Sequence, residues 1–164
     1  MDLILIEDLY IFFSLVYYAF LIFVYLIRAH ELTELELKMR FVFSALLIPF
    51  ISLWMLDLLF GKDSGRLISG LPIIIYLLYD LWYRAITQKK PPHHPDRWPV
   101  GLIVYLILLL IGSIGLNWYG YLVSDFYGRM LVVAFFVMMG SFGYYQYRYS
   151  KRMKTKRKDE SVEK

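Results

Sequence analysis

The stretch "TQKKPPHHPDRWP" at residues 87–99 holds the densest chemistry of this chain, with His93, His94 and Asp96 set among four prolines, Lys89, Lys90 and Arg97. Imidazole and carboxylate together make either an oxygen–nitrogen ligand set or an acid/base cluster suited to chemistry on a lipid headgroup. His30 and Glu34, in "AHELTELELKMR" at 29–40, are four residues apart and so share a helical face that could join them. Against that reading, His93 and His94 are adjacent and neither segment has a recognised metal spacing, so no metal and no cofactor is expected. The plainer reading is a stiff, solvated connector in which Pro99 opens a helix and Arg97 and Trp98 anchor it at a membrane interface.

The elements that must position these residues are hydrophobic. The 164-residue chain is 59% hydrophobic and 19% aromatic, against about 45–50% apolar content for a soluble domain. Residues 9–27 carry no charge, and neither do 98–124 or 130–147. Such runs approach or exceed the ~20 residues that cross ~30 Å of hydrocarbon. Residues 41–60 and 67–83 qualify once Asp57 and Asp80 are allowed near their ends. The expected fold is therefore an all-α integral membrane bundle of five transmembrane helices, near 9–27, 41–60, 67–83, 98–120 and 128–147, with 148–164 as a basic, disordered tail. The pattern of the first segment, behind Asp2, Glu7 and Asp8 and without a basic flank, is that of an anchor and not of a removable signal peptide. With no cysteine, disulfides, thiolate metal sites and cysteine nucleophiles are excluded.

Basic residues alternate along the chain: none before residue 9, three in 28–40, two in 61–66, four in 84–97, one at Arg129 and eight from Arg148 onward. By the positive-inside rule this places the N-terminus outside and the C-terminus in the cytoplasm, with the plasma membrane of a prokaryote as the expected location. A net charge of +4 concentrated in connections and tail is no nucleic-acid signature. The partners expected are anionic headgroups of the bilayer and another membrane protein or a second copy of the chain. Arg148, Lys151, Arg152, Lys154, Lys156, Arg157 and Lys158 would meet those headgroups, at ~1 kcal/mol per base near the surface.

Depth along each helix tests for function, because ionisable groups near the bilayer centre are costly. Asp57 falls near the outer surface, in reach of Lys62 or Arg66. Asp80 falls at the inner rim, where Arg84, four residues on, is its expected ion-pair partner. The middle of the spans holds Tyr17, Tyr18, Ser44, Pro49, Ser52 and Tyr76. Pro49 is expected to kink the second helix and free a carbonyl near Ala45. Gly112, Ser113 and Gly115 in the fourth span, and Gly140, Ser141 and Gly143 in the fifth, should let these two helices approach each other or a partner subunit closely.

"HHPDRWPVG" at 93–101 and "FGYYQYR" at 142–148 are similar in outline to motifs of the small membrane methyltransferases that act on isoprenylcysteine or phospholipid. The resemblance covers barely 16 residues. It implies a lipid-directed enzyme, with the His/Asp/Glu cluster as its site. His93 stands where that family has arginine, and the paired glutamates expected upstream are missing from "RMLVVAFFVMMGS". The leading expectation is a non-enzymatic accessory, assembly or binding subunit of a membrane complex. A lipid-directed enzyme and a small oligomeric permease or channel are the alternatives.

Overall fold

The computed structural model describes residues 3–30, 32, 35, 45–60, 64–85 and 100–162. The described residues form five helices and no strand: α1 Leu3–Ala29, α2 Leu47–Phe60, α3 Ser64–Ala85, α4 Val100–Val123 and α5 Asp125–Val162. Four of them, all but α2, are long and apolar enough to cross a membrane. The described part of the second expected span is a 14-residue helix, about 21 Å long at 1.5 Å per residue, which falls short of ~30 Å of hydrocarbon. Its first residues, 41–44, lie outside the described residues. The segment expected at 67–83 is longer than its hydropathy indicated, because Ser64, Gly65 and Arg66 already belong to the 22 residues of α3.

Each helix packs on its neighbours in sequence, and α1 closes the ring by packing along α5. The ends show an alternating course. Near the start of α1, Glu7 pairs with Arg66 at the start of α3, and the Tyr127 hydroxyl at the start of α5 donates to Asp8 Oδ1 at 2.9 Å. At the other end Arg152 donates to the carbonyl oxygen of Ala29, the last residue of α1. Helices α1, α3 and α5 thus run one way and α2 and α4 the other.

Local chemistry accounts for the joints. Ser124 is the one-residue hinge between α4 and α5: its amide bonds Gly120 O at 2.9 Å, and its hydroxyl accepts the Tyr127 amide at 3.2 Å, an N-cap for α5. Asp125 follows in the first turn, where the helix dipole favours a carboxylate. At the C-terminus of α1 the His30 amide returns to Leu26 O and Ile27 O, both at 3.1 Å. Arg152 then satisfies the Ala29 carbonyl, one of the groups that a helix end leaves without a partner.

Three expectations about these helices are corrected. Pro49 falls in the first turn of α2, where proline is tolerated, so it does not kink the middle of the helix; the proline inside a helix is Pro72 of α3. The tail expected to be disordered is helical through Val162. No proline or glycine follows Gly143, and Lys, Arg, Met and Glu are good helix formers. Finally, Gly112 and Gly115 pack on α3 and not on α5. A Cβ at Gly112 would stand 3.3 Å from Ile73 Cα, and one at Gly115 would land on the Ser69 carbonyl oxygen. The close crossing of α4 and α5 is made by Gly120 and Gly128, where an added Cβ at Gly120 would stand 3.1 Å from Gly128 Cα.

Gly115→Ala should therefore lower the stability of the detergent-solubilised chain by about 1–3 kcal/mol, the usual cost of overpacking. Gly140→Ala meets nothing within 4 Å and should leave stability unchanged or raise it by up to ~1 kcal/mol through helix propensity. Thermal unfolding followed by circular dichroism measures both.

Candidate functional site

Three features of the bundle carry polar or recognition chemistry: a tyrosine-rich interior, an open strip on α5 and a basic end.

The interior is built from α1. Tyr10, Tyr17, Tyr18 and Tyr25 recur at spacings of seven, one and seven, which sets them on one face, and all four are buried. Tyr10 stacks on Tyr119 of α4 at 3.9 Å between ring centroids and meets the edge of Phe50 of α2 at 5.5 Å. Its hydroxyl rests over Gly70 of α3, where an added Cβ would lie 2.9 Å away. Tyr17 contacts Phe50 and Tyr76, each at 6.3 Å. The Tyr18 hydroxyl is 3.0 Å from both Ser113 O and Asn117 Oδ1, and its ring meets Phe135 of α5. Tyr76 donates to the Tyr105 hydroxyl at 2.7 Å.

Two carboxylates are buried in this aromatic interior, Asp57 and Asp80, each 2% exposed. Asp57 lies within electrostatic reach of Tyr10 and Tyr119, and Tyr119 also feels Arg66 and Glu7. Arg66, one of the bases expected near Asp57, pairs with Glu7. Asp80 lies within electrostatic reach of Tyr17 and Tyr76. The side chain of Arg84, its expected partner, lies outside the described residues. Counting residues along a helix assigns each acid an expected depth, but the rotation that turns both inward cannot be counted that way. Tyr10, Tyr119 and Gly70 went unnoticed in the sequence, and Glu7 was noticed only as an acid flanking the first segment. The seven-residue tyrosine spacing was the signal that could have found the first of them.

On α5, Leu131, Met138, Ser141 and Tyr145 form the buried face. Val133, Phe136, Val137, Gly140, Gly143, Tyr144 and Tyr147 follow one another at helical spacing on the opposite, exposed face. Gly140 and Gly143 have nothing within 4 Å and form a shallow saddle between Phe136 and Val137 on one side and Tyr144 and Tyr147 on the other. Ser113 and Ser141 both turn back onto their own helices, donating to Leu109 O at 2.8 Å and Met138 O at 2.7 Å.

At the basic end Arg148, Lys151, Arg152 and Thr155 surround a hollow of ≈ 210 Å³. Lys154, also described, is exposed and does not line it; the side chains of Lys156, Arg157 and Lys158 lie outside the described residues.

Of the proposed catalytic cluster only His30 is described. It is exposed just past α1, with its ring 6.5 Å from that of Tyr144. Glu34, His93, His94 and Asp96 lie outside the described residues, as does most of the first methyltransferase-like stretch. In the second stretch Phe142 packs on Tyr25 at 5.2 Å and Tyr145 is buried, while Gly143 and Tyr144 face outward. Among the described residues no three His, Asp or Glu side chains are placed to hold a metal ion. Near Pro49, Ser52 is exposed and Ser44 lies outside the described residues.

Tyr18→Phe should cost about 1 kcal/mol, the net worth of a typical hydrogen bond. The Tyr10 and Tyr119 hydroxyls are buried with no hydrogen-bond partner among the described residues. Tyr10→Phe and Tyr119→Phe should therefore be neutral or stabilising, a contrast that chemical denaturation of the three variants reads directly.

No protein-family model matches this chain, and no curated protein or solved structure matches it either.

Proposed function

We propose that this chain is an integral membrane protein that serves as an accessory or binding subunit, offering the exposed face of α5 to a transmembrane helix of another membrane protein. One observation carries the reading. Only 22% of the membrane-length part of α5 is buried against the rest of the chain, compared with 56% for α1, and the exposed face carries Gly140 and Gly143 flanked by large side chains. Lipid gives helices no hydrophobic reason to associate, so close backbone approach over small residues supplies the dispersion contact that does. Gly112 and Gly115 do this within the chain against α3. The α5 saddle repeats the arrangement with none of the described residues seated in it.

The membrane reading is supported by dimensions. Phe126 and Tyr147, 71% and 65% exposed on α5, are 21 residues apart, about 32 Å along a helix, which matches the separation of aromatic belts across ~30 Å of hydrocarbon. The orientation follows from charge: Arg28, Arg148, Lys151, Arg152 and Lys154 gather at one end, while Arg66 and Arg129 lie at the other, so the end of α1 and the basic extension of α5 belong in the cytoplasm.

A photoreactive amino acid placed at Val137 or Tyr144 in cells should cross-link to a single protein band, and Gly143→Leu should abolish it. The same probe at Phe12, 57% exposed on α1, should label lipid. Cross-links to lipid alone at every position would end the accessory reading, and a band of twice the chain mass would replace the other protein with a second copy.

A further inference from the structure

We infer that Arg148, Lys151, Arg152 and Thr155 form one defined binding site for a phosphate group, distinct from a diffuse attraction between a basic tail and a negative surface. The four residues follow at spacings of three, one and three on α5, so they share one helical face. They line an open hollow of ≈ 210 Å³, room for more than one water-sized group.

The donors are arranged for an anion. Arg148 Nε is buried and has no hydrogen-bond partner among the described residues. Leaving a charged donor in that state is costly, and a small turn of the Arg148 side chain toward an anion in the hollow would relieve that cost. Guanidinium offers Nε–H and Nη–H as a planar fork that fits two oxygens of one phosphate side by side. Arg152 is held from behind by its bond to the Ala29 carbonyl, so less of its side-chain freedom remains to be lost on binding. Lys151, exposed at the rim, adds a mobile point charge. Thr155 forms wall and not donor, because its hydroxyl already bonds Lys151 O at 3.2 Å.

Depth gives the second line of evidence. Arg148 is 23 residues beyond Asp125, about 35 Å along α5, just past the ~30 Å of hydrocarbon that the helix would cross. That is the layer of lipid phosphates. The exposed tyrosines immediately before it, Tyr144 and Tyr147, suit the same interface. A phosphodiester of a lipid and a soluble phosphate present the same oxygens to this hollow, and the site is defined by that shared chemistry.

The full-length chain, reconstituted in nanodiscs of phosphatidylcholine containing phosphatidylglycerol, tests the lipid source: native mass spectrometry after gentle release counts the phosphatidylglycerol retained. Titration calorimetry with inorganic phosphate, in neutral detergent free of phospholipid, tests the soluble source. One retained phosphatidylglycerol per chain is expected, and Arg148→Gln and Lys151→Gln should each weaken retention about tenfold, the scale of a charge-assisted hydrogen bond. Lys154→Gln removes the same charge outside the hollow and should change retention by less than about twofold, the size of a weak exposed ion pair. Circular dichroism checks the fold of each variant, and exposed Lys151 keeps the test open if Arg148→Gln does not fold. Calorimetric binding of inorganic phosphate that needs Arg148 or Lys151, without lipid retention, keeps the site and assigns it a soluble phosphate. Equal losses from Lys151→Gln and Lys154→Gln, or no binding in either arm, would overturn the inference.

Discussion

The bundle depends on the tyrosine face of α1. A membrane gives its helices no hydrophobic reason to meet, so something specific must hold them, and here one helix touches all the others through three aromatic rings. Tyr10 reaches α2 at Phe50, α3 at Gly70 and α4 at Tyr119. Tyr17 reaches α2 and α3, and Tyr18 reaches α4 by hydrogen bonds and α5 at Phe135. Large flat rings bury much surface while losing few rotatable bonds, and they pack edge-on or stacked with a directional preference that aliphatic side chains lack. The glycines of α3 and α4 follow from this choice. Gly70 makes room for the Tyr10 hydroxyl, and Gly112 and Gly115 bring α4 close enough to α3 to complete the wall opposite.

That arrangement also explains why two aspartates can stand in an apolar bundle. An unpaired carboxylate in hydrocarbon is prohibitively costly, but phenolic rings carry dipoles and hydroxyls into the same space. Asp57 and Asp80 each lie among tyrosines from other helices, toward opposite ends of the bundle. Glu7 and Arg66 supply a further pair at the end nearer Asp57. The polar groups thus converge inward, and the outward surface stays apolar from Ile4 and Phe12 on α1 to Phe136 and Val137 on α5.

How much of this was legible in the sequence depended on whether the property was local. Hydropathy is local, and each of the five expected segments holds a helix among the described residues; of the second, residues 41–44 lie outside them. Charge alternation gave the up-and-down order that the contacts at both ends display. Small-residue patterns, by contrast, are local while the partner is not. "GSIG" at 112–115 and "GSFG" at 140–143 are nearly the same word, yet the first is buried against α3 and the second faces outward. Pro49 and Pro72 make the same point. Each sits in an apolar run, and only the start of the helix decides that one is harmless in a first turn while the other lies mid-helix.

The basic end couples these levels. Residues 148–162 read as a polar tail because they carry the charge that ends a membrane segment, but nothing in them breaks a helix, and α5 continues as one rod. Continuity changes what the charges can do. In a disordered tail seven bases act as a cloud whose pull on a surface is additive and salt-screened. On a helix that is fixed to α1 by the bond from Arg152 to Ala29, the backbone positions of Arg148, Lys151 and Arg152 are set relative to one another and to the bundle. The bond that terminates α1 is therefore also the one that orients the donors around the hollow. Packing along α1 and α5 and the placement of the basic side chains around the hollow are two consequences of the same contact.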